Sequence, residues 1–132
     1  MGVPLTPKAI GFLGEKVFAH VATLMQDGSP QITPVWVWTD GKDLLFNCEE
    51  TSLKARNLRR DDRVALSVMG LDSPLRTITV RGRVTEMTTK GAVDDINRMA
   101  MKYNGDAVYK GFRQGVARLT VRVEPLTLRE SL

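Results

Sequence analysis

The chain reads as mainly β: six strand-like runs, two or three short helices and turns at hairpin spacing argue for a small closed or partly closed barrel. Three observations carry this. Apolar and polar residues alternate with period two in several runs. Asp-Gly turns separate the early runs. Gly82 interrupts a long later strand, where a closing sheet needs a bend or bulge. With 132 residues the chain is most simply one domain spanning 1–132.

Thr6-Pro7 reads as N-cap and first position of a helix running through about Lys16, with Ile10, Phe12 and Leu13 as its apolar side. Val17 to Met25 is a β-rich run ended by the turn Gln26-Asp27-Gly28-Ser29. Pro30 to Thr39 follows as a hairpin partner. Ile32, Pro34, Trp36 and Trp38 fall on one face, and Thr33, Val35 and Val37 on the other. Pro34 has no N–H for a ladder, so the strand is expected at an edge or a bulge there.

Asp40-Gly41-Lys42 turns into a third strand, Asp43 to Cys48. A basic segment from Thr51 to Arg63 follows, with Ser52 placed as an N-cap so that Lys54 and Arg56 fall in the first turn of a short helix. Strand four is Arg63 to Met69, with Val64, Leu66 and Val68 alternating. Leu71-Asp72-Ser73-Pro74 then leads to a long strand, Leu75 to Met87. Gly91 to Tyr103 has helical period through Val93, Ile96, Ala100 and Tyr103. A loop from Asn104 to Gly115 precedes the last strand, Val116 to Val123, which Pro125 is expected to end.

Hydrophobic residues make up 42% of the chain and charged residues 26%, the composition of an ordinary globular core. The net charge of +4, from 19 basic and 15 acidic residues, suits an anionic small molecule better than nucleic acid. Arg56, Arg59, Arg60 and Arg63 are interrupted by Asp61 and Asp62, which argues further against nucleic acid. One cysteine excludes an intrachain disulfide framework and a cysteine-based zinc site. No metal is expected. The start, Met1-Gly2-Val3-Pro4-Leu5, lacks the pattern of a signal peptide, and no run is long enough for a membrane span. A cytoplasmic location is the default expectation.

No catalytic constellation stands out. His20, the one histidine, shares a strand face with Phe18, Ala22 and Leu24 and reads as a satisfied or edge residue. Cys48 ends an apolar strand and reads as a small packing residue rather than a nucleophile. Two features remain. The basic segment is either a solvated turn or an anion site, since free first-turn N–H groups, the helix dipole and two cations coincide. The strand Gln31-Ile32-Thr33-Pro34-Val35-Trp36 leaves backbone groups near Pro34 for an edge-on ligand.

Ala22-Thr23-Leu24, Asp27-Gly28-Ser29-Pro30-Gln31, Pro34-Val35-Trp36 and Lys54-Ala55-Arg56-Asn57-Leu58-Arg59-Arg60-Asp61-x-Arg63-Val64 together resemble the flavin/deazaflavin oxidoreductases related to pyridoxamine 5′-phosphate oxidase. More narrowly they resemble the branch that uses coenzyme F420. The similarity also takes in Lys102-Tyr103-x-Gly105 and Tyr109 to Arg113. It implies a six-stranded split β-barrel of the FMN-binding type, forming a homodimer with cofactor sites at the subunit interface.

The resemblance implies that Lys54 and Arg56 grip a cofactor phosphate and that Asn57 orients their loop. Gln31, Thr33, Pro34, Val35 and Trp36 would line the ring, and Asn47 and Cys48 would sit near the phosphate or ribityl chain. Tyr109 and Arg113 would reach the site from the partner subunit. The chain departs from the family pattern at Ser52-Leu53, where Gly-Arg is common, at Cys48, where a hydroxyl residue is common, and at Asp62, where Pro is usual.

The implied activity is hydride transfer from reduced deazaflavin C5 to an unsaturated small molecule, the redox chemistry residing in the cofactor. No residue is assigned as proton donor. The alternatives are an FMN-dependent enzyme of the same class and a non-catalytic cofactor- or tetrapyrrole-binding protein on the same barrel.

Overall fold

The computed structural model describes residues 2–132. Met1, where the start read above for a leader begins, lies outside the described residues. The element order is α1 (Pro7–Leu13), β1 (Phe18–Leu24), β2 (Pro30–Thr39), β3 (Leu44–Glu49), α2 (Leu53–Arg60), β4 (Arg63–Met69), β5 (Thr77–Thr88), α3 (Ala92–Asn104) and β6 (Arg118–Ser131). The strands close an antiparallel barrel in the order β1-β2-β3-β6-β5-β4. This is the six-stranded architecture expected from the alternation and turns. No helix among the described residues is long and apolar enough to cross a membrane.

Alternating strands send one side chain in two into the barrel, so its core collects the large aliphatics: Val21, Val37, Phe46, Leu66, Val80 and Val121 are all at most 1% exposed. Helix α1 adds Phe12 and Leu13, and α2 adds Ala55 and Leu58. A second cluster forms outside the barrel, where Met99 and Tyr103 of α3 pack on Trp38 and Leu45, with Phe18 and Trp36 beside them. The two tryptophans therefore face a helix rather than the barrel interior.

The closure is uneven. Strand β2 pairs with β1 from Trp36, opposite Phe18, back to Pro30, opposite Leu24. Against β3 it pairs only through Val37, Trp38 and Thr39. From Pro30 to Trp36 the other edge of β2 has no partner strand among the described residues, while β3 turns away to pair with β6 through Glu49. This is the edge position that Pro34 required.

Several boundaries differ from expectation, each for a local reason. Helix α1 stops at Leu13 because Gly14 caps it, its N–H reaching the Ile10 and Gly11 carbonyls. Leu75 and Arg76 belong to the turn that precedes β5, since the Gly70 N–H bonds to the Arg76 carbonyl. Helix α3 buries Ala92, Ile96, Met99, Ala100 and Tyr103, leaving Val93 on the exposed side.

The largest difference is β6, which runs past Pro125 to Ser131. Pro125 lies opposite Gly82, while Arg81 pairs with Thr127, so Leu126 is an extra residue in the ladder. A missing N–H is tolerated at such a bulge, and the Pro125 carbonyl accepts from the Val3 N–H at 2.8 Å. Gly82 is required there: a Cβ would stand 2.4 Å from the Glu124 carbonyl oxygen. The strands cross closely at this bend.

Candidate functional site

The divergence of β2 from β3 opens a cleft of about 530 Å³, within the usual range for small-molecule sites. Its β2 wall is Pro34, Val35 and Trp36, on the unpaired edge. Asn47, Cys48 and Glu49 of β3 supply a second wall, and Ser52 and Lys54 at the start of α2 close one end. The segment after α3 crosses the opening with Tyr109, Gly111 and Arg113, and Arg118 enters from β6.

Helix α2 starts as its sequence requires. Ser52 is extended (φ −65°, ψ 155°), and its hydroxyl accepts from the Ala55 N–H at 3.3 Å. Lys54 lies in the open first turn and, among the described residues, has no carboxylate within ion-pairing distance. Arg56 begins the next turn, its N–H already bonded to the Ser52 carbonyl, and its side chain is exposed away from the cleft.

The other basic residues of this segment are otherwise engaged. Arg59 donates to the Glu50 carbonyl at 3.1 Å, and Arg60 to the Leu24 carbonyl at 2.6 Å. Arg63 pairs with Asp61 at 2.8 Å, whereas Asp62 takes Arg83.

The structure thus gathers Pro34, Val35, Trp36, Asn47, Cys48 and Lys54 into one cleft and leaves Gln31, Thr33, Arg56 and Asn57 outside it. Gln31 accepts from the Thr23 hydroxyl at 2.7 Å. Asn57 is 2% exposed; its amide donates to the same hydroxyl at 3.0 Å and its oxygen accepts from Arg60. It ties α2 to β1. Thr33 has a covered hydroxyl oxygen with no hydrogen-bond partner among the described residues. Tyr109 and Arg113, expected from a partner subunit, line the cleft of their own chain.

The aromatic wall is layered. Trp36 lies on Tyr103, centroids 4.9 Å apart and planes 4° apart, and Tyr109 meets Trp36 edge-on at 5.8 Å. Tyr103 is anchored by its hydroxyl, which donates to the Val17 carbonyl, and burial pushes its pKa up. The half-buried Lys102 spans the same corner, donating to the Leu13 carbonyl at 2.9 Å. Burial lowers its pKa.

Opposite charges divide the cleft floor. Arg113 clasps both oxygens of Glu49 at 2.7 Å, and that hydrogen bonding holds the Glu49 carboxyl below its ordinary value. Burial pushes the Cys48 thiol up, against the opposing Ser52 hydrogen bond and the charges of Lys54 and Arg118. Arg118 is 8% exposed, donates Nε–H to Asn47 Oδ1 at 2.8 Å, and lies over Tyr109 at 5.1 Å. Neither Arg118 nor Glu49 was singled out from the sequence. A charged residue opening the apolar alternation Leu119, Val121, Val123 was the available signal for Arg118.

Several known structures are similar to this fold. An F420 reductase is 26% identical, with TM-score 0.81 over 96% of this chain and 98% of that one. A conserved hypothetical protein, Rv2991, from Mycobacterium tuberculosis is 22% identical with TM-score 0.72, over 98% and 86% of the two chains. The heme storage protein HutZ from Vibrio cholerae shares the fold at 15% identity and TM-score 0.67, over 97% and 95%. Among curated proteins no sequence match is found. Residues 5–130 match the family model for pyridoxamine 5′-phosphate oxidase, and the chain belongs to that family.

Proposed function

We propose that this protein is an F420-dependent reductase acting on an unsaturated small molecule. The observation that carries the reading is Lys54: a cation at an open helix N-terminus, free of carboxylates among the described residues, at the end of a cleft walled by Trp36 and an unpaired strand edge. An extended cofactor with a planar ring and a phosphate matches that arrangement of charge and surface. The similarity to an F420 reductase, at 26% identity over nearly the whole of both chains, supports the same choice.

In this reading the hydride chemistry resides in the deazaflavin C5 when the cofactor is bound. The chain orients and shields. Lys54 and the first-turn N–H groups of α2 that Ser52 does not cap hold the phosphate, Ser52 itself taking the Ala55 N–H. Trp36, fixed flat by Tyr103, gives the ring an apolar face. The backbone of β2 near Pro34 supplies edge-on hydrogen bonds, and Tyr109 with Arg113 covers the opening. The working form is taken to be a homodimer with the cleft at the subunit interface, and Ile32, 62% exposed on the same outer strand, supports a covering partner. Sedimentation of the purified chain tests that assembly.

FMN is the second reading, because the same cation and aromatic wall suit its phosphate and ring. Haem is less well served, since no histidine lines the cleft and His20 is exposed elsewhere on β1. Incubation with F420 and FMN separately, then desalting and absorption spectroscopy, decides between these two cofactors. Retained F420 supports the proposal; retained FMN without F420 replaces it.

A further inference from the structure

We propose that Arg118 is a ligand-binding residue for the carbonyl edge of the cofactor's heterocycle, distinct in task from the phosphate-holding Lys54. The inference rests on the cofactor reading above and extends it to a residue that the recognised motifs do not include.

Burying a guanidinium is costly unless its donors are satisfied. Several other arginines among the described residues meet carboxylates: Arg63 with Asp61, Arg76 with Glu15 and Asp72, Arg83 with Asp62, Arg122 with Asp40 and Asp43. Arg118 is more buried than these, yet it forms no ion pair among the described residues. Its cross-strand neighbour Glu49 is the obvious candidate, but both Glu49 oxygens are taken by Arg113.

The hydrogen bond of Arg118 is Nε–H to Asn47, and Asn47 is itself fixed by the Ala92 carbonyl at 2.9 Å. The two Nη groups have no protein partner among the described residues and are not sealed from solvent, so they open on the cleft that Arg118 lines. A planar fork held rigid on one side and unfilled on the other is suited to carbonyl or anionic oxygens.

Arg118 and Lys54 both act on Cys48 and Glu49, but they stand on different elements. Arg118 stacks over Tyr109, and Tyr109 abuts Trp36, so the guanidinium belongs to the aromatic wall. Lys54 belongs to the helix end beside Ser52. Flavin and deazaflavin rings share a dione edge with two carbonyl oxygens, which one cation beside the ring can hold.

The test uses the purified full chain and four probes: F420, its phosphate-free deazaflavin counterpart, FMN and riboflavin. Dissociation constants are measured by fluorescence titration for the native protein and for Lys54→Ala, Arg118→Gln and Arg118→Lys. For the ring system that the native protein binds, Arg118→Gln is expected to weaken the phosphate-bearing and phosphate-free members equally, by about tenfold or more. Lys54→Ala is expected to weaken only the phosphate-bearing member. Arg118→Lys should restore part of the loss, since it keeps the charge without the fork.

If Arg118→Gln fails to fold, Arg118→Lys carries the same comparison. Selective loss of the phosphate-bearing probe, or unchanged binding of both, overturns the assignment of Arg118 alone. A native protein that binds none of the four overturns the cofactor reading and this inference together.

Discussion

The Trp36 indole lies flat against the Tyr103 ring, with planes 4° apart, while the Tyr103 hydroxyl is tied to the Val17 carbonyl. A cleft wall is thereby fixed from behind by a residue 67 positions later in the chain. Tyr103→Phe keeps the stack and deletes the anchor. It should cost about 1–2 kcal/mol in urea unfolding, with cofactor affinity changed little. Trp36→Ala removes the wall itself and should weaken binding of flavin and deazaflavin probes alike.

Lys54 and Arg56, paired by the family resemblance, part company in the structure. Lys54→Ala should lower affinity for a phosphate-bearing cofactor by an order of magnitude or more, as loss of a contact worth about 1.5–3 kcal/mol requires. Arg56→Ala, exposed and outside the cleft, should leave the dissociation constant within about twofold. Equal losses from both would place Arg56 at the ligand after all.

Gly82→Ala should be strongly destabilising for its size. The added methyl would stand 2.4 Å from the Glu124 carbonyl oxygen and 2.8 Å from a Val123 methyl, so the bent crossing of β5 and β6 would have to open. A loss of about 1–3 kcal/mol, seen as a lowered Tm, is expected. An unchanged Tm would mean that the bend relaxes freely.

Acid should loosen the barrel through Asp40. Burial alone would raise its pKa from the ordinary 3.8, but hydrogen bonds from Arg122 and from the Asp43 and Lys42 N–H groups hold it at about 2. A carboxyl depressed in the folded state stabilises above its unfolded value and loses that contribution as pH falls through the folded one. The window is therefore about pH 4 to 2. Asp40→Asn should show a shallower fall in Tm across it than the native protein.

Cys48 is buried at 3% exposure, and its thiol is pushed up by that burial. Iodoacetamide at neutral pH should therefore label it slowly in the folded protein and rapidly in urea. Rapid labelling of the folded protein would show that the opposing charges of Lys54 and Arg118 prevail over burial.

The sequence by itself determined the strand count, the hairpins, the Ser52 cap and the strand edge at Pro34, because these are local. Alternation, turn chemistry and missing N–H groups act within a few residues. The family resemblance also named Trp36, Cys48 and Lys54, and the structure brings these three to one cleft. What only the tertiary structure decided depends on distant segments meeting. Pro125 continues a strand because a glycine opposite lets the ladder bulge. Arg56 and Lys54 separate because the helix turns one outward and the other toward the gap between β2 and β3. Arg118 acquires meaning only where Asn47, Tyr109 and the already occupied Glu49 surround it, since a buried charge is defined by neighbours that no local pattern names.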